Sequence, residues 1–301
     1  MARFVNVGAW NCSDSEYFHG DAVGSSNICR ALGFGGPSGK TGDMGNACHV
    51  AILRPGRFDQ MVSTPPAEVQ PGSGAGQKKR LADWKEAQGD RLVLTSSAYQ
   101  TVKAMRDAMA VGRGAQLLAP LRADGVAVER SYKALDTVTG LTVRIRPDAF
   151  LPDAGKVWDL KMSKDPGYFA FRRAVVSCAY YVQLALYHDV LRDMLGRSID
   201  WSWVVVGNSP PYLPGVYKAT AEWVELGRRF YDAGLGSIAN ARRSGVEPIP
   251  WWSSKPIDMD PPPDFLSEEV AMHEQFADTG EVSREQTAPV VLTMGGKALA
   301  L

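Results

Sequence analysis

The sequence has no net charge: 33 lysines and arginines balance 33 aspartates and glutamates over 301 residues. No run approaches the roughly 18 consecutive apolar residues of a membrane span, so none is expected. Residues 1–10 lack a basic start followed by an apolar stretch and do not read as a secretory signal. Cysteine is scarce. The four (Cys12, Cys29, Cys48, Cys178) include no CxxC pair, which argues against a zinc site or a disulfide framework and for reduced thiols in a cytoplasmic protein. With 45% apolar and 22% charged residues, the composition is that of a globular domain. It excludes a disordered chain, a coiled coil and a collagen-like fibre.

Zero net charge hides an uneven distribution. Residues 257–301 carry nine acids and two bases, a net −7, which leaves +7 on residues 1–256. We expect a single domain over 1–256 and a partly disordered acidic tail over 257–301, with a loose end at 285–301. A basic body suits a polyanionic partner, although solvated surface accounts for the same charges.

Gly, Pro and Ser cluster at 33–46, 64–76 and 253–264, which read as loops. GFGGPSGKTG resembles a phosphate loop only at Gly39-Lys40-Thr41. The first glycine that motif requires would stand at Phe34, and no apolar strand precedes it. Helices are expected at 45–54, 78–88, 95–111 (capped by Thr95), 168–195 and 220–243. Strands are expected at 125–135, 141–150, 156–162, 200–207 and 213–219. This order predicts an α/β domain with a central mixed sheet flanked by helices.

The most informative stretch is RIRPDAFLPDAGKVWDLKMSK, residues 144–164. Pro152-Asp153-Ala154-Gly155 signals a tight turn. Pairing 152 with 155 sets Asp148 opposite Asp159, with Cβ atoms roughly 4.5–5.5 Å apart. Lys161, two residues on, shares that face. Facing carboxylates repel, and a hard divalent cation such as Mg²⁺ or Mn²⁺ relieves the repulsion. A polar hairpin in which Lys161 neutralises Asp159 is the plainer reading of the same spacing. On the long helix, Gln183 and Tyr187 lie at i and i+4, on one face.

Pro147-Asp148, then Asp159-Leu160-Lys161, resembles the PD-(D/E)xK nuclease core. Followed by YYVQLALYHD, the text resembles the RecE-type phage and prophage exonucleases (exonuclease VIII), most strongly over 125–190. The resemblance implies a nuclease fold in which Asp148 and Asp159 bind metal and Lys161, Gln183 and Tyr187 complete the catalytic set. It also implies that His49, in DMGNACHVAILRPGRFDQ, reaches the metal and that the Leu160 backbone carbonyl joins it. Glu129 becomes a candidate for a further ligand, and Arg146, Arg172 and Arg173 for DNA contacts. Buried-core, strand-surface and solvated readings stand beside these for His49, Glu129 and the arginines. The family usually follows DxK with two threonines; here Met162 and Ser163 stand instead.

The activity implied is Mg²⁺-dependent digestion of double-stranded DNA ends, 5′ to 3′, leaving a 3′ strand for a RecT-like annealing partner. A homo-oligomeric ring is implied as well, in the cytoplasm of a bacterium or phage-infected cell. A non-catalytic DNA-binding or assembly protein of the same fold, or an endonuclease of the superfamily, is the alternative. The four-cysteine cluster of CRISPR-associated iron–sulfur nucleases is not evident.

Overall fold

A computed structural model describes residues 2–5, 21–34, 40–69, 72, 74–245, 291–294 and 297–300. The loop expected at 253–264 and most of the acidic tail lie outside them. Chain packing separates two units, residues 1–255 and 256–301.

In the first unit, strand β1 (Phe4–Val5) precedes α1 (Ser25–Ala31), α2 (Lys40–Leu53), the single turn α3 (Phe58–Met61), β2 (Val62–Ser63) and α4 (Ala75–Glu86). Next come β3 (Leu92–Val93), α5 (Ser96–Met109), α6 (Gly112–Leu118), β4 (Ala127–Val128), β5 (Tyr132–Asp136), β6 (Thr142–Ile145), β7 (Ala149–Leu151) and β8 (Lys156–Ser163). The unit closes with α7 (Tyr168–Ser177), α8 (Tyr180–Leu195), β9 (Asp200–Gly207), β10 (Pro214–Lys218) and α9 (Ala221–Ser244). In the second unit the backbone of β11 (Val291–Met294) pairs antiparallel with β12 (Lys297–Ala300), where a loose end was expected.

The central sheet runs β10-β9-β8-β7-β4. Strands β8 and β9 are parallel and every other neighbouring pair is antiparallel, so the sheet is mixed as expected. Alternation along the strands sends side chains to opposite faces. On one face, Val157, Trp201, Trp203 and Val205 join α8 and α9 in the main core. On the other, Leu160, Val204 and Val206 meet Cys48 and Ile52 of α2 and Met105 and Met109 of α5. Strands β1, β5 and β6 form a separate antiparallel sheet.

Several expected elements are divided or extended. The strand expected at 125–135 breaks at Glu129, whose φ of 46° is incompatible with a continuing strand. The one expected at 141–150 breaks at Arg146-Pro147-Asp148, because proline has no N–H for a ladder. The helix expected at 168–195 is two helices, separated at Cys178-Ala179, where Ala179 is left-handed at φ 53°. Conversely, α2 starts at Lys40, inside the expected Gly-rich loop; residues 35–39 of that loop lie outside the described ones. Thr95 caps α5 as expected, its hydroxyl accepting the Ala98 N–H at 3.2 Å.

Candidate active site

The hairpin β7–β8 builds the site. Gly155, at φ 61°, ends a short 3₁₀ turn over Pro152–Ala154. Its left-handed backbone returns the chain so that Leu151 pairs with Lys156, Phe150 with Val157 and Ala149 with Trp158. Continued by one residue, this register sets Asp148 opposite Asp159. Phe150 and Val157 lie in the main core, so Asp148, Asp159 and Lys161 are on the α8 face. Met162 alternates to the opposite face and packs in the second core. Ser163 turns its hydroxyl to the Asp165 carbonyl, 2.6 Å away.

Both carboxylates are buried, Asp148 at 8% exposure and Asp159 at 2%. Strand β7 stops short of Pro147, and the Asp148 side chain takes over where the ladder ends. Its Oδ2 accepts the Leu160 N–H at 2.7 Å. Its Oδ1 lies 3.2 Å from Nδ1 of His49, delivered by α2. Asp159 Oδ2 meets the Lys161 ammonium at 2.6 Å in an ion pair without aligned hydrogen-bond geometry. Lys161 also donates to Gln183 Oε1 at 3.2 Å, and Gln183 Nε2 reaches back to Asp159 Oδ1 at 3.5 Å. Strand β8 and helix α8 are thereby joined through one amide.

Burial opposes charge on both acids. At Asp148 the adjacent His49, then Lys161 and the Leu160 N–H, outweigh burial and hold the pKa below the usual carboxylate range. At Asp159 burial prevails and pushes the pKa up to about 6; the Asp148 charge adds to this and Lys161 opposes it. His49 is shifted upward, because Asp148 more than offsets its burial. Two carboxylates, one imidazole and the Lys161 ammonium converge at this point. Such an oxygen-rich, anionic donor set fits a hard divalent cation. Among the described residues no three His, Cys, Asp or Glu side chains are already grouped at ligating distances. Mg²⁺ ordinarily keeps several waters, so two carboxylates at the site meet its requirement.

The remaining expected residues are placed differently. Glu129 is tied to the hairpin by its N–H, which donates to the Asp148 carbonyl at 2.9 Å. Its carboxylate pairs with Arg54 Nε at 2.9 Å, and Arg54 also donates to the Val128 carbonyl at 3.2 Å. Tyr187 is buried in the main core with its ring edge-on to Trp201, 6.1 Å between centroids. Arg146 lies half-buried at the break between β6 and β7, while Arg172 and Arg173 sit half-buried and exposed on α7.

Two residues of the site escaped the sequence reading. Tyr180 lies under Lys161, its ring centroid 4.8 Å from the ammonium. A signal existed, because Tyr180, Gln183 and Tyr187 follow the i, i+3, i+7 spacing of one helix face. Arg54 had none, since only the tertiary fold brings α2 to Glu129.

No curated protein matches the chain. Among solved structures, a crystal structure named "Putative exonuclease" from Eubacterium rectale is similar in fold, with a TM-score of 0.57 at 13% identity. The similarity spans 86% of this chain and 98% of that one. A family model described as a PDDEXK-like domain of unknown function (DUF3799) matches residues 39–251, the stretch that holds His49, both aspartates, Lys161 and Gln183. The chain therefore belongs to this family of PDDEXK-like domains.

Proposed function

We propose that the protein is a Mg²⁺-dependent exonuclease that digests double-stranded DNA from an end, 5′ to 3′, with Mn²⁺ able to substitute. The observation that carries the reading is the convergence of Asp148, Asp159 and Lys161 at one buried point of the β7–β8 hairpin. Asp148 and Asp159 would hold the cation, with His49 at its rim and the Leu160 carbonyl as a further donor. When bound, the cation polarises a phosphodiester oxygen and acidifies a water. Lys161, held by Asp159, Gln183 and the Tyr180 ring, keeps its ammonium where negative charge grows on phosphorus. Gln183 fixes Lys161 relative to Asp159. Arg54 holds the Glu129 carboxylate beside the hairpin, and Tyr187 would shape the helix that lines the site. Arg146, Arg172 and Arg173 would contact phosphates.

The 3′ strand left behind would pass to a RecT-like annealing partner during phage-type recombination in the cytoplasm. A homo-oligomeric ring would reconcile zero net charge with DNA binding, because only the channel need be positive.

Linear and closed-circular duplexes incubated with Mg²⁺ or EDTA test the reading. Loss of linear DNA alone, dependent on Mg²⁺ and abolished by Asp148→Ala, Asp159→Ala or Lys161→Ala, is the expected result. Nicking of circles would replace it with an endonuclease. Binding without digestion would make the chain a non-catalytic relative, and digestion at the parental rate by either aspartate variant would overturn the site.

A further inference from the structure

None of the residues of helix α4 is buried. It packs on the turn at Ala67–Val69, yet a helix of this length is marginal in water without a packed face. Lys78, Lys79, Arg80 and Lys85 all stand exposed on it, and none forms an ion pair among the described residues. Asp83 and Glu86 are its only acids. Leu81 and Trp84 lie at i and i+3, so they share one side, and Gln88 follows just past the end of the helix, its Nε2 donating to the Trp84 carbonyl at 3.1 Å. Lys78 and Lys85 border that side in one direction and Arg80 in the other.

That side looks into a cleft of about 400 Å³, lined by Trp84, Gln88, Arg91 and Tyr99 together with Asp59, Ser63 and Thr64. The volume falls within the range of about 300–1,000 Å³ typical of small-ligand sites. Arg91 braces the wall, donating to the Asp59 and Val62 carbonyls at 2.7 and 3.0 Å and to Gln88 Oε1 at 3.1 Å. Tyr99 donates to Asp59 Oδ1 at 3.1 Å. The Ser63 hydroxyl is buried without a hydrogen-bond partner, in a residue only 7% exposed. A buried hydroxyl left unpaired is costly, and a ligand that pairs it recovers that cost.

The cleft lies on the far side of α2 from the carboxylates. The same helix that sends His49 to Asp148 packs Ala47, Val50 and Ala51 against Val62 and Leu94, beneath the cleft.

We infer that α4 and this cleft bind single-stranded DNA, with one unstacked base against Trp84 and the flanking phosphates on Lys78, Arg80 and Lys85. This rests on the nuclease reading and gives its single-stranded product a track. The chemistry separates base from phosphate. The Asp59 carboxylate repels a phosphate inside the cleft, but it accepts a hydrogen bond from the amino group of an adenine or cytosine. Ser63 and Gln88 supply further partners for a base edge. The cations sit outside, on the rim, where a backbone would run. Lys103, its ammonium 5.9 Å from the Tyr99 ring, adds to that rim. Aromatic stacking inside a basic track is how strands are held without reading their sequence.

The test is binding of a short fluorescent oligo(dA) to the full chain in EDTA, measured as a function of salt, with duplex digestion in Mg²⁺ followed in parallel. Trp84→Ala is expected to weaken binding roughly tenfold, and Trp84→Phe, which keeps a stacking face, to stay within roughly threefold of the parent. The Lys78→Ala/Arg80→Ala/Lys85→Ala variant is expected to lower the slope of log affinity against log salt by about 2, at about 0.7 per phosphate contact. Parental affinity in Trp84→Ala, or equal losses in Trp84→Ala and Trp84→Phe, overturns the inference. If the parent still digests linear duplex in that case, the nuclease reading survives alone. A parent that neither binds nor digests removes both.

Discussion

Replacing Asp189 by alanine probes the strap that holds α8, and with it Gln183, against α9. Asp189 is 1% exposed. Its Oδ2 accepts from Arg228 Nε at 2.7 Å and from the Tyr231 hydroxyl at 2.6 Å. Its Oδ1 accepts from Arg228 Nη2 at 2.9 Å and Arg192 Nη1 at 3.0 Å, and lies 3.0 Å from His188 Nδ1. Alanine would leave a fully buried phenol and a guanidinium without their shared acceptor. Removing one member of a buried charged pair costs about 3–5 kcal/mol. Both arginines keep about a third of their side chains in water, so the lower end, about 3 kcal/mol, applies. At about 2–4 °C per kcal/mol for a domain of this size, the melting midpoint should fall by roughly 6–12 °C near neutral pH.

The loss must also depend on pH. Burial opposes the Asp189 carboxylate, but hydrogen bonds from Arg228, His188 and Tyr231 and the Arg192 charge outweigh it and hold its pKa far below the ordinary range. The folded value lies below the unfolded value of about 3.9, so the stabilisation is complete above that pH and fades as pH falls towards the folded value. Melting curves followed by circular dichroism, for parent and Asp189→Ala between about pH 7 and pH 3, should begin to narrow below about pH 4. A difference under about 2 °C at neutral pH, or one that does not narrow in acid, would refute the reasoning.

Helices α8 and α9 cross at Gly227, where an added Cβ would stand 2.0 Å from the Tyr181 carbonyl oxygen and 2.6 Å from the Ala185 Cβ. Gly227→Ala should therefore cost about 1–3 kcal/mol in thermal unfolding, whereas Gly236→Ala, with nothing within 4 Å, should gain up to about 1 kcal/mol from helix propensity; the same sign for both would contradict the packing. Tyr180→Phe keeps the ring under Lys161 and should keep kcat, while Tyr180→Leu should lower kcat roughly tenfold at unchanged KM; a leucine variant as active as the phenylalanine one would remove Tyr180 from the site. Burial, with the Asp148 charge adding, pushes the Cys48 thiol up to about 12, whereas Cys178 is exposed. Iodoacetamide at about pH 8 should then label Cys178 and spare Cys48 in the native protein, as read by peptide mass mapping; equal labelling would show that the α2 core opens.

The hairpin was legible in the chain because its determinants are local. A Pro-Asp-Ala-Gly turn and a period of two are enough to put Asp148 opposite Asp159 and Lys161 on their side. The same holds for the Thr95 cap and for the spacing of Gln183 on its helix, which depend on neighbours within a turn or two. What local signals leave open is where long-range packing overrides a continuous pattern. The helix through residues 168–195 reads as one, yet Ala179 turns left-handed and α8 starts afresh at Tyr180, the residue that meets Lys161. The strand through Glu129 reads as unbroken, yet its backbone turns there, and Arg54, just past the end of α2, holds the carboxylate. His49 meets Asp148, and Asp189 meets Arg228 and Tyr231, only because separate layers close on the sheet. Spacing along a chain determines which side chains share a face. Which faces then meet, and which charges end up buried together, is decided by the packing of helices onto that sheet.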